Sequence, residues 1–285
     1  MSKHILFMGT PEFASPTLES LIQSNNNDNI SVITMPDKVR GRGSKTSPSP
    51  IKKLAQDNQL TIHQPESKIQ LTHQINELNP DLIIVVAYGM IIEKSIVDKY
   101  LCINCHASLL PKYRGASPIQ AALLNGDHAT GITIIRLNEK MDAGDICSTT
   151  EMPIDPTDNY GSLSHKLAEL GANEIMGFIN TQWKPNTLTC TPQNHSNATY
   201  CKKIEKQDLL IDQSTPKQTI IRKINAFSPK PGAYCIHNNK RIKLLAAKLS
   251  NNALSLITIQ PEGKPPMPYK DYLLGNNEGL PYHDE

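Results

Sequence analysis

Within "CINCHASLLPKYRG" (residues 102–115) a short apolar run delivers Asn104 and His106, breaks at Pro111 and ends basic. If the run is a strand, its side chains alternate between faces, so Asn104 and His106 share one side and Cys105 takes the other. An asparagine amide can donate to a developing oxyanion, and histidine is the side chain that exchanges protons near neutral pH. A third group stands in "KMDAGDI" (140–146), where Asp142 follows an apolar strand and Gly144 frees the backbone for a tight turn. A carboxylate carried from that turn to His106 would fix its tautomer and favour the imidazolium. Each residue also has a plainer reading: a histidine that closes a core strand, and an aspartate that makes an Asx-turn.

Cys102 and Cys105 have CxxC spacing just before His106, but the pattern is a weak metal or redox signal. Alternation turns Cys105 away from His106, no second CxxC follows, and a redox pair wants a helix N-terminus. No metal is expected. The first strand-to-helix turn, "MGTPEF", holds one glycine where a dinucleotide fingerprint needs three.

The elements that must position these residues follow from hydrophobic periodicity. "HILFMG" (4–9), "ISVITM" (30–35), "DLIIVVA" (81–87), "CINCH" (102–106) and "GITIIRL" (131–137) read as strands; the continuous β-branched runs are those of a sheet covered on both faces. Helical stretches fall at 12–24, 50–58, 68–78, 118–125 and 160–180. Such alternation implies an α/β fold, a mostly parallel, doubly wound, Rossmann-like sheet, with Asn104 and His106 at a strand's carboxyl end, where such sheets bind ligands. After Trp183 the chain turns polar and rich in Pro, Asn and Thr, which reads as a linker over 184–203. Beyond it one helix (216–227) and strands at 233–237, 241–249 and 253–260 indicate a small β-rich domain. The expected division is therefore 1–183, a linker over 184–203, and 204–285.

The 285 residues are 38% hydrophobic and 20% charged, as in a soluble globular protein. No apolar run approaches the ~18 residues of a membrane span. "MSKHILFMGTPEF" has no signal-peptide pattern, so a cytoplasmic location is expected, with all six cysteines reduced. The net charge of +2 hides an asymmetry: residues 201–250 carry 11 Lys/Arg against three acids. That excess suggests a polyanionic partner for the second half, with Lys202, Lys203, Arg222, Lys223, Arg241 and Lys243 as phosphate contacts. An ordinary solvated lysine-rich face is the plainer reading. "PDKVRGRGSKTSPSPIKK" (36–53) holds six bases, one acid, two glycines and three prolines. It reads as a segment that does not pack, either a loop that closes over a phosphate backbone or a solvated one.

With these residues in view, the sequence resembles the methionyl-tRNA formyltransferase family. "GTPEFA" (9–14), "PDKVRGRGSKTSPSPIKKLA" (36–55), "VVAYGMII" (85–92), "INCHASLLPKYRGASPI" (103–119) and "LNEKMDAGD" (137–145) carry the resemblance in order across the first two-thirds of the chain. It implies Asn104, His106 and Asp142 as the catalytic trio. It implies a folate contact at Ser108, Leu109, Leu110 and Pro111, and a pterin pocket walled by Tyr88, Gly89, Met90, Ile91 and Ile92. It implies a tRNA-engaging loop over 36–50 that includes Arg40, Arg42 and Lys45. The implied reaction moves a formyl group from 10-formyltetrahydrofolate to the amino group of methionine on initiator tRNA, without a metal. The implied partners are that tRNA and the folate, with no membrane, and the chain acting as a monomer.

The resemblance also implies an OB-like second domain. "RIKLLAAKLS" here runs almost directly into "NNALSLITIQ", where the family has about two more strands, so a shortened barrel is expected. Other readings share the trio: a formyltransferase acting on an amino sugar or purine precursor, or a hydrolase of 10-formyltetrahydrofolate. A non-catalytic tRNA-binding protein would explain the basic half but has no use for the trio.

Overall fold

The first half folds into a seven-stranded sheet whose strands are β1 (His4–Gly9), β2 (Asn29–Ile33), β3 (Thr61–His63), β4 (Leu82–Val86), β5 (Cys102–His106), β6 (Ala129–Arg136) and β7 (Ile146–Pro153). Their order across the sheet is β7-β6-β5-β4-β1-β2-β3. This computed structural model describes residues 3–24, 29–39, 46–183, 188–276 and 278–283. The pairs β1–β2, β1–β4, β2–β3 and β4–β5 are parallel, and β5–β6 is antiparallel. All five side chains of β4 (LIIVV) are buried. Burial of this kind is worth about 1.5–3 kcal/mol for each large apolar side chain, which is why the uninterrupted apolar run occupies the middle of the sheet.

Helices α1 (Ser15–Gln23), α2 (Pro50–Asp57), α3 (Lys68–Leu78), α4 (Lys94–Lys99), α5 (Pro118–Asn125) and α6 (Tyr160–Thr181) alternate with these strands. Their starts follow the residues: Ser49 and Ser67 cap α2 and α3 by accepting from the backbone of Lys52 and Gln70. Part of the 36–53 segment therefore packs, contrary to expectation. Lys38–Val39 pairs with Thr46–Ser47, Lys52 bridges Asp37 at 2.5 Å, and Ser49 and Ile51 are buried. Arg40, Arg42 and Lys45 lie outside the described residues.

Two compact units emerge. The first comprises Met1–Arg114, Gly131–Glu151 and His165–Tyr200; the second comprises Gly115–Thr130, Met152–Ser164 and Cys201–Glu285. In the second, β8 (Ala233–His237), β9 (Lys240–Ser250), β10 (Ala253–Pro261) and β11 (Met267–Pro268) pair antiparallel in chain order. Two two-residue turns join the first three strands, Asn238-Asn239 and Asn251-Asn252, all four at positive φ. Asparagine tolerates that conformation, and a turn of two such residues twists with its strands. The abrupt passage from "RIKLLAAKLS" into "NNALSLITIQ" is thus a tight hairpin, and among the described residues the sheet is an open row of four. Helix α7 (Lys217–Phe227) packs on α5 and β9.

Among the described residues no helix is long and apolar enough to cross a membrane. The expectation of six reduced cysteines needs correction, because Cys147 and Cys190 are joined in a disulfide.

Candidate active site

Strand β5 delivers Asn104 beside Val85 of β4 and Ile135 of β6, and His106 beside Thr133 of β6. Cys105 points the other way, its sulfur close against Gly171 of α6. Burial pushes the thiols of Cys102 and Cys105 up to about 12, so both stay protonated and poor as ligands or nucleophiles. The side-chain amide of Asn104 is half-buried and makes no hydrogen bond within the protein among the described residues, which leaves its donors available.

His106 is 6% exposed and held on both sides of its ring. Nε2 stands 2.9 Å from the Tyr113 carbonyl oxygen, and because a carbonyl only accepts, Nε2 carries hydrogen. That leaves Nδ1 as the nitrogen that exchanges a proton, and Nδ1 faces Asp142 Oδ1 at 3.6 Å. The contact is an ion-pair distance, slightly longer than a hydrogen bond.

Asp142 reaches that position by an indirect route. Strand β6 runs antiparallel to β5, so it passes His106 at Thr133 and ends with Arg136 beside Ile103. Three residues of strand, about 10 Å, then separate its end from the histidine. The turn 137–145 must fold back, and its bonds record this: Arg136 N donates to Asp145 O at 2.9 Å, and Asn138 Nδ2 to Ala143 O at 3.2 Å. A Cβ on Gly144 would lie 1.8 Å from the Arg136 carbonyl oxygen. Glycine is required there for close approach rather than for an unusual φ.

Three non-glycine residues at this end of the sheet have positive φ: Ala87 after β4, Tyr113 and Asp142. Such conformations cost on the order of 1–3 kcal/mol each and persist where surrounding structure imposes them, most often at functional sites.

The loop after His106 is tied to β6. Thr133 Oγ1 donates to Ser108 O at 2.6 Å and accepts from Leu110 N at 3.1 Å, and Ser108 Oγ donates to Lys112 O at 2.6 Å. Ser108 is fully buried, so its side chain builds the loop; Leu109 and Pro111 are the part-exposed members of the expected folate contact, and Leu110 is buried. In the other expected wall Tyr88 is buried and its hydroxyl lacks a partner among the described residues, while burial pushes its phenol pKa up. Met90 and Ile92 pack on the core, Gly89 takes a φ of +100°, and Ile91 is 64% exposed.

Sequence reasoning missed Tyr113, Thr133, Gln193 and Thr199. Thr133 had a signal, a polar residue inside the apolar run "GITIIRL"; the others sit in polar stretches where nothing marks them.

In the second unit the expected phosphate contacts fall into two groups. Lys202 faces Asp208 at 3.4 Å, and Lys223 Nζ donates to Leu210 O at 2.6 Å. Arg222 lies over Gly126, the left-handed cap of α5, where a cation suits the helix C-terminus. Lys203 is exposed. Lys243 stands near Arg241 and Lys230, and burial followed by repulsion from Arg241 and Lys230 holds its pKa down. Arg241 also lies over the Tyr234 ring at 5.6 Å. This cluster would gain from an anion.

Comparison with known proteins places the chain. The family described as "Formyl transferase" matches residues 3–179, and "Formyl transferase, C-terminal domain" matches 203–255. The methionyl-tRNA formyltransferase of Kosmotoga olearia is 40% identical over 252 residues, covering 87% of this chain and 80% of that protein. The crystal structure of HypX from Aquifex aeolicus in complex with tetrahydrofolic acid superposes with a TM-score of 0.67 at 16% identity, covering 95% of this chain and 46% of that one. The methionyl-tRNA formyltransferase from Clostridium thermocellum gives 0.66 at 16% identity, covering 91% of this chain and 98% of that one. Those two structures share the fold; with 40% identity over most of both sequences to a curated relative, the chain belongs to the methionyl-tRNA formyltransferases, within the formyl transferase family.

Proposed function

We propose that Asn104, His106 and Asp142 carry the transfer of a formyl group from 10-formyltetrahydrofolate to the amino group of methionine on initiator methionyl-tRNA. The observation that carries this reading is the convergence, at the carboxyl end of β5, of a His–Asp pair and an asparagine amide without a partner among the described residues. The neutral amine attacks the formyl carbon, and negative charge develops on the formyl oxygen. The Asn104 amide donates to that oxygen. Protonated His106, its charge backed by the Asp142 carboxylate 3.6 Å from Nδ1, stabilises the oxyanion further, and Asp142 takes up the proton that the amine loses. The same proton goes to N10 of the folate as the carbon–nitrogen bond breaks, so the transfer is neutral overall. With Nε2 committed to the Tyr113 carbonyl, the proton is handled on the Nδ1–Asp142 side of the ring.

The folate reading rests on the family and on the walls beside the trio. The exposed Ile91 and the part-exposed Leu109 offer apolar surface to a flat ring, and Gly89 keeps a conformation that side chains rarely adopt. No metal is invoked, since the oxyanion donor and the proton carrier are both side chains.

For tRNA, the proposed division gives residues 1–183 the trio and the folate contacts, and 204–285 with Lys230, Arg241 and Lys243 the phosphate backbone. Replacing Arg241 and Lys243 by alanine is expected to weaken tRNA binding. The slope of log affinity against log salt should fall by about 0.7–0.9 for each phosphate that is no longer neutralised. An unchanged slope would make the patch a solvated surface.

The decisive measurement is formyl transfer from 10-formyltetrahydrofolate to charged initiator tRNA, charged elongator tRNA, or neither. Transfer to the initiator alone supports the reading, and formate release without an acceptor supports a hydrolase. Arg42→Leu is expected to cripple transfer to tRNA while leaving folate binding intact, which separates this reading from one with a small-molecule acceptor.

A further inference from the structure

Residues 190–199, in the polar stretch after Trp183, are stitched to the segments that carry His106 and Asp142. Cys190 is joined by disulfide to Cys147 of β7, and Thr191 exchanges both backbone hydrogen bonds with Ile146 at 2.8 Å. From that anchor Gln193 turns inward, 5% exposed. Its Nε2 donates to the backbone carbonyls of Asp142 at 2.9 Å and Gly144 at 2.7 Å. Its Oε1 accepts from Nε and Nη2 of the buried Arg114 at 3.1 and 2.6 Å. The amide can sit only one way round, because a flip would set oxygen against two carbonyls and N–H against a guanidinium. Six residues on, Thr199 holds the other half of the site. Its Oγ1 accepts from Tyr113 N at 2.9 Å, and its own N donates to Pro111 O at 3.2 Å. Tyr113 is the residue whose carbonyl fixes the His106 ring.

We propose that Gln193 is a positioning residue for formyl transfer. By pinning the carbonyls on both sides of Ala143 it holds Asp142, at its positive φ, in front of Nδ1 of His106. With Thr199 it makes 190–199 a clamp across the catalytic pair. The inference rests on the reading of His106 and Asp142 as the proton-handling pair.

Two substitutions test it. Gln193→Met keeps the volume and removes every polar bond. Gln193→Glu keeps the acceptor for Arg114 and sets a carboxylate oxygen against the two carbonyls. Both are expected to lower kcat by about tenfold or more while KM for folate and for tRNA stays within about twofold. Because Gln193 acts through Asp142, adding Gln193→Met to Asp142→Asn is expected to cost less than about a further twofold. Wild-type kcat in a folded Gln193→Glu protein, a rise in KM at unchanged kcat, or full additivity with Asp142→Asn overturns the proposal. If Gln193→Met does not fold, Gln193→Glu decides. If Asp142→Asn alone keeps wild-type turnover, the reading of the pair fails first, and the two failures are told apart.

Discussion

Replacing Asn104 by alanine is expected to lower turnover by about 10²–10³-fold, the usual loss for a single oxyanion donor, with folate affinity nearly unchanged. The side chain makes no hydrogen bond within the protein among the described residues, so its removal leaves no buried group orphaned and the fold intact. His106→Ala and Asp142→Ala are expected to be at least as damaging. Because the two act as a unit, the double variant should be little worse than the poorer single one. Single-turnover assays separate the chemical step from binding, and equilibrium titration with folate checks affinity. A His106 variant with near-wild-type turnover would sink the mechanism. His106 also closes a buried bond to Tyr113, so its variants need a melting curve beside the kinetics.

Gly144→Ala is the second large effect, and it reaches the chemistry through the backbone. The added methyl would meet the Arg136 carbonyl oxygen at 1.8 Å and the carbonyl carbon at 2.9 Å. Both belong to backbone, which cannot swing aside as a side-chain end can, so the 137–145 turn must open by about an ångström or more. Overpacking of this kind costs about 1–3 kcal/mol in stability. A displacement of about 1 Å at a catalytic group can cost on the order of 10²-fold in rate. The expected outcome is a folded protein with a lowered melting temperature, kcat reduced about 100-fold, and little change in folate affinity. Wild-type turnover in this variant would mean that the turn tolerates reshaping, and that Asp142 is not held where rate depends on it.

How legible the molecule was in its sequence depended on where each residue lies. The buried strands β1, β4 and β5 and helices α3 and α5 announced themselves, because burial on both faces or along one stripe demands continuous or periodic apolar residues. β3 and β7 did not. The three residues of β3 are too few for a pattern, and β7 (ICSTTEMP) is half-exposed with a polar composition. The pairing of Asn104 with His106 followed from alternation, but the antiparallel course of β6 did not. The length and close packing of the Asp142 turn depend on that course. Gln193 is the extreme case. Its role is defined by three neighbours, Arg114, Asp142 and Gly144, that only the tertiary fold brings together.

The clamp formed by 190–199 has a consequence for the timing of maturation. A ribosome delivers the chain from its amino end, and folding starts before synthesis is complete. When Asp142 has emerged, all three side chains of the proposed trio exist, yet Gln193 and Thr199 have still to be made. At ~5–20 residues per second, Thr199 is added about 3–11 s after Asp142. During that interval the nascent sheet has its apolar strands but neither Gln193 nor Thr199, so the bonds that Gln193 Nε2 makes to the Asp142 turn have not yet formed. A chain ended at Trp183 lacks the Gln193 and Thr199 bonds throughout, whereas one ended after Tyr200 contains both residues.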